Sequence, residues 1–201
     1  MQCHSITNAQ VVVPLLRSWK KEGKIQHVGI THHEASAQEA LTKFIESGEV
    51  DFVQTNYSIF DRNAERRLLP SAADNGVAIL INLPLEKARL LKVVEGQPLP
   101  EFANEFGAKT WAQFFLKWVM AHPAVTCVLC GTSNPDHMSD NLQAMRGPLP
   151  DEAMRRRMFT HMEAIPGFSS ISTMPWYPGK EQLYSGLIRD AQAKARNRLE
   201  E

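Results

Sequence analysis

The chain has 201 residues, 43% of them hydrophobic, with 22 basic and 22 acidic side chains and a formal net charge of +0. This composition is typical of a globular protein with an ordinary core. The balanced charge gives no field that would attract nucleic acid or an anionic membrane. The sequence has no apolar run near the roughly 20 residues of a membrane span and no signal-peptide pattern at its N-terminus. We therefore expect a cytoplasmic protein with no nucleic-acid or membrane partner.

Apolar and β-branched runs alternate with amphipathic stretches along the chain. The runs predict strands over residues 24–30, 51–55, 77–81 and 125–129. The amphipathic stretches predict helices over residues 9–22, 36–47, 62–74, 110–122, 134–145 and 151–165, the third of them kinked or split by Pro70. Residues 166–178 read as irregular and residues 185–201 as an exposed, charge-rich helix.

Several local signals refine these helices. Ser36 with Glu39, and Thr110 with Gln113, predict N-terminal caps. Methionines at helical spacing indicate a core face for residues 151–165, which puts the run 155–157, three arginines, on the solvent side. The helix that begins at Thr110 is apolar on nearly every side, so we expect it to be buried on both faces.

The three cysteines form no disulfide framework. Cys127 and Cys130 lie within or beside the predicted strand 125–129, where residues three apart point to opposite faces. We therefore expect Cys127 and Cys130 to be small buried hydrophobes rather than a redox or metal pair. The neighbours His32, His33 and Glu34 are likewise not expected to form a metal site, since adjacent histidines on one loop rarely converge on one ion.

A repeated strand–helix alternation predicts a parallel sheet, either open and doubly wound or part of a barrel. The first strand is not followed by the glycine pattern of a dinucleotide-binding sheet, which favours the barrel. In both architectures the ligand binds at the carboxyl ends of the strands. The long connection over residues 82–107 is therefore predicted to be a functional loop.

One turn combines features suited to an anion. Gly131, Thr132 and Ser133 follow the predicted strand 125–129, Ser133 or Asn134 can cap the next helix, and Pro135 suits its first position. Free N–H groups and hydroxyls at such a helix start suit a phosphate or a carboxylate. An ordinary strand-to-helix connection is the alternative interpretation.

Three segments together resemble a known family. They are GKIQHVGITHHE, VDFVQTNYSIFDRNAERRLLPSAADNGVAIL and WAQFFLKWVMAHPAVTCVLCGTSNPDHMSDN, and they look like the second half of an aldo/keto reductase. The resemblance covers about residues 1–163 and is greatest to a bacterial branch whose members often carry a twin-arginine export signal. It implies an α/β fold, a parallel (β/α) barrel of TIM type, of which this chain is roughly the C-terminal half with about five strands and a helical tail.

The resemblance also implies a cofactor, NADPH with NADH as a possibility, and a set of site residues. His4 matches the family's catalytic histidine. Thr31, His32 and Gln54 match residues that hold the nicotinamide carboxamide, and Asn82 stands where many members stack an aromatic ring. The positions that match the 2′-phosphate loop and helix are Gly131, Thr132, Ser133, Asn134, His137 and Asn141. Gly131 and His137 stand where many members place Lys and Arg, which puts the preference for NADPH over NADH in question.

The family's catalytic Asp, Tyr and Lys belong to strand–helix units that precede the matched part. We therefore expect residues 1–201 alone to reduce small-molecule carbonyls little or not at all. The chain would then be a fragment, or one half of a split enzyme, that pairs with a complementary N-terminal half or with a second copy of itself. A non-catalytic nucleotide-binding or protein-interaction module, using the tail 166–201 beside the partial barrel 1–165, is the alternative. A periplasmic location follows if a full-length form carries an export signal.

Overall fold

Five parallel strands form one sheet in the computed structural model, which describes residues 1–182, 186 and 190. The strands are β1 (Gln2–Cys3), β2 (Gly29–Thr31), β3 (Phe52–Asn56), β4 (Ala78–Asn82) and β5 (Cys127–Val128). They pair side by side in chain order, and all four pairings are parallel. The predicted α/β class and parallel sheet are confirmed; β3 and β4 have the predicted length shifted by one residue, whereas β2 and β5 are shorter than their apolar runs.

Helices connect the strands. The α-helices are α1 (Ala9–Lys21), α2 (Gln38–Glu46), α3 (Leu68–Asp74), α4 (Arg89–Val93), α5 (Trp111–Met120), α6 (Pro135–Gln143) and α7 (Glu152–Glu163). Shorter 3₁₀ segments are Ile6–Asn8, Ala35–Ala37, Asn63–Arg66, Glu86–Ala88, Glu101–Phe106 and Phe168–Thr173. The connection 82–107 is thus largely helical rather than an irregular loop.

The two faces of the sheet differ in burial because side chains alternate along a strand. Ile30, Val53 and Ile79 occupy one register row, and all three are fully buried against the helices. The opposite face, called the inner face here, carries Phe52 and Gln54 of β3, both half-buried, together with their register partners on the neighbouring strands. Helices therefore cover one face, as they do in a (β/α) barrel.

The predicted caps have different outcomes. Thr110 caps α5 by accepting a hydrogen bond from the Gln113 N–H at 3.2 Å, and every residue from 113 to 119 is buried, so both predictions for this helix are confirmed. Asn134, rather than Ser133, caps α6 by accepting from the Asp136 N–H at 2.9 Å. The Ser36 cap is wrong, because the chain there starts with a 3₁₀ turn and the Ser36 hydroxyl bonds Glu34 instead.

The stretch 62–74 is split, but not at its proline. The break lies at Arg67, whose φ of −148° is not helical, between the 3₁₀ turn Asn63–Arg66 and α3. Pro70 falls in the first turn of α3, where a missing N–H leaves no helical hydrogen bond unmade. Pro70 is therefore accommodated in the first turn of α3 and does not interrupt the helix.

The prediction that Cys127 and Cys130 are buried is wrong for both, whereas Cys3 is buried. Cys127 is exposed and Cys130 half-buried, because β5 pairs only with β4 in the described sheet and one of its edges is open. The side chains of an apolar strand are fully buried only where other elements cover them. Among the described residues, only β4 pairs with β5.

The prediction that all three arginines of 155–157 face solvent is wrong for Arg155, whose side chain is 12% exposed. Its Nη2 donates to Glu65 Oε1 at 3.0 Å and also to the Tyr57 hydroxyl, while its Nε donates to the Trp118 carbonyl at 3.2 Å. Its guanidinium also lies 4.3 Å from the centre of the Trp118 ring. Arg155 therefore fastens α7 to α5 and to the residue that follows β3.

The segment after α7 is packed rather than loose. Phe168 and Ile171, predicted to lie outside the barrel part, are buried in the same core cluster as the strands. The helix predicted over 185–201 lies almost entirely outside the described residues. Within the described part of the chain, no helix is long and apolar enough to cross a membrane.

Gly29 supports the first testable prediction. A Cβ at position 29 would lie 2.2 Å from Cε2 of the Phe52 ring, so Gly29→Ala must displace that ring. We expect the free energy of unfolding to fall by about 1–3 kcal/mol, the usual cost of overpacking, in a urea titration. In a Phe52→Leu background the same change should cost less.

Gly131→Ala is the matched control, because a Cβ there would meet nothing within 4 Å. Equal unfolding midpoints for Gly29→Ala and the unaltered chain would contradict the predicted contact.

Glu65 supports a prediction about pH. Burial raises its pKa, but hydrogen bonds from Tyr57 and Arg62 and the charge of Arg62 outweigh burial and hold the pKa below the ordinary 4.5. A lowered pKa stabilises the fold above the unfolded-state value, and that contribution is lost as pH falls through the folded-state value. Glu65→Gln should therefore be less stable than the parent at pH 7, with the difference shrinking below about pH 4.5.

Thermal unfolding across pH measures this difference. The control is Glu105→Gln, whose ion pair with Arg157 is more than half exposed on both sides and should contribute little. A stability difference for Glu65→Gln that stays constant down to pH 3 would rule out ionised Glu65 as its source.

Candidate functional site

Parallel pairing brings the carboxyl ends of the five strands to one edge of the sheet, called the C-terminal edge here. His4 directly follows β1 and is exposed, and Thr31 ends β2 with His32 after it. Thr31 is the register partner of Gln54, and Asn82 ends β4 as the partner of Asn56. The structure thus gathers the residues matched to the nicotinamide at this edge.

Gln54 lies on the inner face with one half of its amide engaged. Its Oε1 accepts a hydrogen bond from Gln2 Nε2 at 3.2 Å. Its own Nε2 makes no hydrogen bond to the described residues, so two N–H donors remain. Thr31 beside it is 2% exposed, and the His32 N–H donates to the Gln54 carbonyl at 3.3 Å, which fixes the two strand ends relative to each other.

The His32 ring has one nitrogen already in use. Its Nδ1 accepts from the Glu34 N–H at 3.2 Å, which leaves the proton of the neutral imidazole on Nε2 as a donor. The ring stacks on His33 at 5.3 Å between centroids, and His33 meets the Trp176 ring edge-on at 6.3 Å. No group of three or more metal-ligating side chains occurs among the described residues.

Asn82 carries a buried acceptor without a partner. Its side-chain Oδ1 is inaccessible to solvent and makes no hydrogen bond among the described residues. A buried unpaired acceptor is unfavourable in the free protein by about 1–3 kcal/mol. Such an atom at the end of a barrel strand is a candidate ligand contact, since a ligand N–H would satisfy it.

The loop after β4 has a left-handed backbone conformation that residues other than glycine rarely adopt. Leu83, Glu86, Lys87 and Ala88 have φ between 51° and 66°, although none of them is glycine. Each left-handed residue of this kind costs roughly 1–2 kcal/mol, and runs of them are found mainly at functional sites. The sequence gives no glycine or asparagine to signal this conformation.

A buried ion pair fixes that loop. Arg89 Nη2 donates to Glu86 Oε2 at 2.6 Å, and the Ser58 hydroxyl donates to Glu86 Oε1 at 2.8 Å. Burial raises the pKa of Glu86 despite these partners. Arg89 Nη1 also donates to the Ile171 carbonyl at 3.2 Å, so the same pair ties the tail to the loop.

The tail reaches the candidate site, which the sequence pattern did not indicate. The Lys87 Nζ lies 2.9 Å from the centre of the Trp176 ring, and the Tyr177 N–H donates to the Lys87 carbonyl at 3.0 Å. Because Trp176 also contacts His33, the tail spans the loops that follow β2 and β4. Lys87 and Trp176 are therefore site-adjacent residues that sequence reasoning missed.

The loop between β5 and α6 holds the residues matched to the 2′-phosphate. Gly131, Ser133 and His137 are exposed, and the Thr132 hydroxyl accepts from the Asn134 N–H at 3.2 Å. Asn141 is buried, with 8% of its surface exposed. None of the matched positions is a lysine or an arginine, so a bound phosphate would meet no ammonium or guanidinium group from them.

The sequence model of the Aldo/keto reductase family matches residues 1–157. An NADH-specific methylglyoxal reductase of Escherichia coli (strain K12) is 26% identical in an alignment of length 166 that covers 69% of this chain and 49% of that protein. An uncharacterized oxidoreductase of Bacillus subtilis (strain 168), YrpG, is 25% identical in an alignment of length 181 that covers 78% of this chain and 54% of that protein. The chain spans about half the length of these curated relatives.

Two solved structures of aldo/keto reductases from Klebsiella pneumoniae share the fold. One, in complex with NADP and acetate, has a TM-score of 0.60 and 21% identity over 80% of this chain and 57% of that one. The other, in complex with NADPH, has a TM-score of 0.60 and 24% identity over 79% and 57%. Together with the match over residues 1–157, these findings show that the chain belongs to the aldo/keto reductase family and has the α/β fold of a partial barrel of TIM type.

Proposed function

We propose that the C-terminal edge of the sheet binds the nicotinamide end of NADPH or NADH, and that the chain is the cofactor-binding part of a carbonyl reductase. The observation that carries this proposal is that adjacent strands hold one acceptor, Asn82 Oδ1, and one donor, Gln54 Nε2, neither of which has a hydrogen bond among the described residues. The family relationship supports it, as do the Klebsiella pneumoniae neighbours solved with NADP and NADPH.

The nicotinamide carboxamide fits this pair of groups. A carboxamide has one carbonyl acceptor and one NH₂ donor, and Gln54 Nε2 and Asn82 Oδ1 are their complements. The His32 Nε2–H is a further donor beside Gln54, set by the Glu34 N–H on the other ring nitrogen. These three residues would hold and orient the ring, and reduced nicotinamide when bound supplies a hydride for a carbonyl carbon.

Weak discrimination between NADPH and NADH follows from the loop between β5 and α6. Neutral donors at Thr132 and Asn134 would form weaker hydrogen bonds to a 2′-phosphate than a guanidinium or an ammonium group would. The Escherichia coli relative is named as NADH-specific, and the Klebsiella pneumoniae neighbours hold NADP or NADPH, so both cofactors occur among similar proteins.

Catalytic reduction needs an acid that protonates the oxygen as the hydride arrives. Tyr57 follows β3, but its hydroxyl donates to Glu65 Oε1 at 2.5 Å, and burial raises its pKa above the ordinary range. His4 is exposed at the end of β1 and can orient a carbonyl as a hydrogen-bond donor. We therefore infer that residues 1–201 alone reduce small-molecule carbonyls slowly or not at all, and that further (β/α) units supply the acid.

Apolar side chains at both edges of the sheet support completion of the barrel. Val11 and Leu15 on α1 are 75% and 48% exposed, and Leu142 and Met145 at the end of α6 are 53% and 73% exposed. Eight strands give an interior that side chains fill, so three further units would close the sheet. Pairing with a second copy of this chain would instead give ten strands. Inner-face residues as small as Gly29 would fill that interior less completely than the interior of an eight-stranded barrel.

Asn82→Leu tests the unpaired acceptor. Because the substitution removes a buried atom without a hydrogen bond, we expect it to stabilise the ligand-free protein by about 1 kcal/mol in thermal unfolding, and to weaken NADPH binding. Loss of stability on Asn82→Leu would contradict the assignment.

Asn56→Leu is the matched control from the partner position on β3. Its side chain accepts from Gln38 Nε2 at 3.2 Å and donates to Asp61, so its loss should destabilise the fold by about 1–3 kcal/mol.

Fluorescence titration of the full chain with NADPH and with NADH tests the proposed cofactor. We expect saturable binding with Kd values that differ by less than about tenfold, since no lysine or arginine stands at the positions matched to the 2′-phosphate site. His137→Arg should strengthen NADPH binding about tenfold and leave NADH binding unchanged. Absence of saturable binding of either nucleotide would contradict the proposal.

A further inference from the structure

A separate cavity of 680 Å³ lies in the helical layer, outside the C-terminal edge. Its walls come from the 3₁₀ turn at 63–66 and the residue before it, the end of α5, and α7. The residues that matter here are Arg62, Glu65, Trp118, His122, Arg155 and Phe159. None of them belongs to the candidate cofactor site, and the volume is in the range of small-molecule pockets.

The charges around this cavity do not balance. Glu65 Oε2 accepts from Arg62 Nε and Nη2 at 3.0 and 2.9 Å, while Glu65 Oε1 accepts from Arg155 Nη2 at 3.0 Å. One carboxylate is thus shared by two guanidinium groups. Arg156, also on the wall, has its own partner in Glu152, so that pair adds no net charge. Among the described residues that line the cavity, one positive charge is therefore left without a counter-ion.

Two donors at the cavity have no acceptor among the described residues. Arg155 uses Nε and Nη2, but its Nη1 makes no hydrogen bond within the described part of the chain. His122 Nδ1 accepts from the Ala124 N–H at 3.2 Å, which leaves Nε2 as the donor of the neutral ring.

The surrounding groups keep His122 neutral and Arg155 in place. Burial and the nearby charge of Arg155 lower the pKa of His122, with Glu65 opposing them weakly. The Tyr57 ring packs edge-on against His122 at 5.7 Å. Arg155 is fixed by Glu65, Tyr57 and Trp118, so little side-chain freedom would be lost when it binds a ligand.

We propose that this cavity binds the carboxylate of a small organic acid, with Arg155 Nη1 and His122 Nε2 as donors and the surplus charge of the Arg62–Glu65–Arg155 group as counter-ion. A carboxylate matches a guanidinium edge in shape, and a charge-assisted hydrogen bond in a half-buried pocket is stronger than a neutral one. Trp118 and Phe159, each covered on one face by a guanidinium, supply the apolar walls for the rest of the acid.

Benzoate, with uncharged benzamide as the matched ligand, tests the site on the full chain. Isothermal calorimetry should show one saturable benzoate site and no benzamide binding. NMR titration of the His122 ring should show that its pKa rises toward the ordinary 6.5 at saturating benzoate, because a bound anion favours the imidazolium. The NMR measurement needs no variant and therefore does not depend on the folding of a mutant.

Arg62→Ala removes the surplus charge from a side chain that is 41% exposed, and should weaken benzoate binding about tenfold. Arg157→Ala is the control, since Arg157 is on the same helix as Arg155 but pairs with Glu105 outside the cavity. An unchanged His122 titration with benzoate, or equal affinities of the parent and Arg62→Ala, would overturn the proposal. Nucleotide binding at the C-terminal edge is a separate measurement and can fail or succeed independently.

Discussion

Parallel pairing of five short strands is the constraint on which the rest of the structure depends. Because every strand runs the same way, all carboxyl ends reach one edge, and residues as far apart in sequence as Gln54 and Asn82 lie there on adjacent strands. The connections must return along the other face, which places the helices and buries Ile30, Val53 and Ile79 beneath them. Phe52 and Gln54 on the inner face stay half-buried, and the Gln54 Nε2 makes no hydrogen bond to the described residues.

A second interaction positions the C-terminal part of the chain on this framework. Arg155 joins α7 to α5 through Trp118 and to β3 through Tyr57, and the Glu86–Arg89 pair joins the tail to the loop after β4. Both depend on buried charges, which stabilise a fold only when each is fully partnered. In the Glu86–Arg89 pair one carboxylate meets one guanidinium, so the pair has no net charge. Arg155 instead shares the Glu65 carboxylate with Arg62, and its Nη1 makes no hydrogen bond to the described residues.

Much of the fold follows from local sequence patterns. The apolar runs locate β3 and β4 within one residue, and Thr110 and Asn134 cap the helices that their side-chain chemistry suits. Helix α5 is recognisable because it has no polar face. These features depend on residues near each other in sequence, where periodicity and capping act.

Long-range contacts explain what the sequence does not reveal. Arg155 sits in a run of three arginines, and only the distant Tyr57 and Glu65 distinguish it from its exposed neighbours. The left-handed residues after β4 include no glycine, and packing of Glu86, Arg89 and Ile171 imposes their conformation. The site residues were named from a family resemblance; the unpaired Asn82 Oδ1 was visible only in three dimensions.

Hydrogen–deuterium exchange of the full chain with and without NADPH tests most directly whether the C-terminal edge is the cofactor site. The arrangement of Gln54, Asn82 and His32 predicts slower exchange on NADPH addition at residues 29–33, 54–58, 82–89 and 131–141, with little change in α1 and α3. Protection confined to α7 and the end of α5, or no protection at saturating NADPH, would contradict a nicotinamide site at the strand ends.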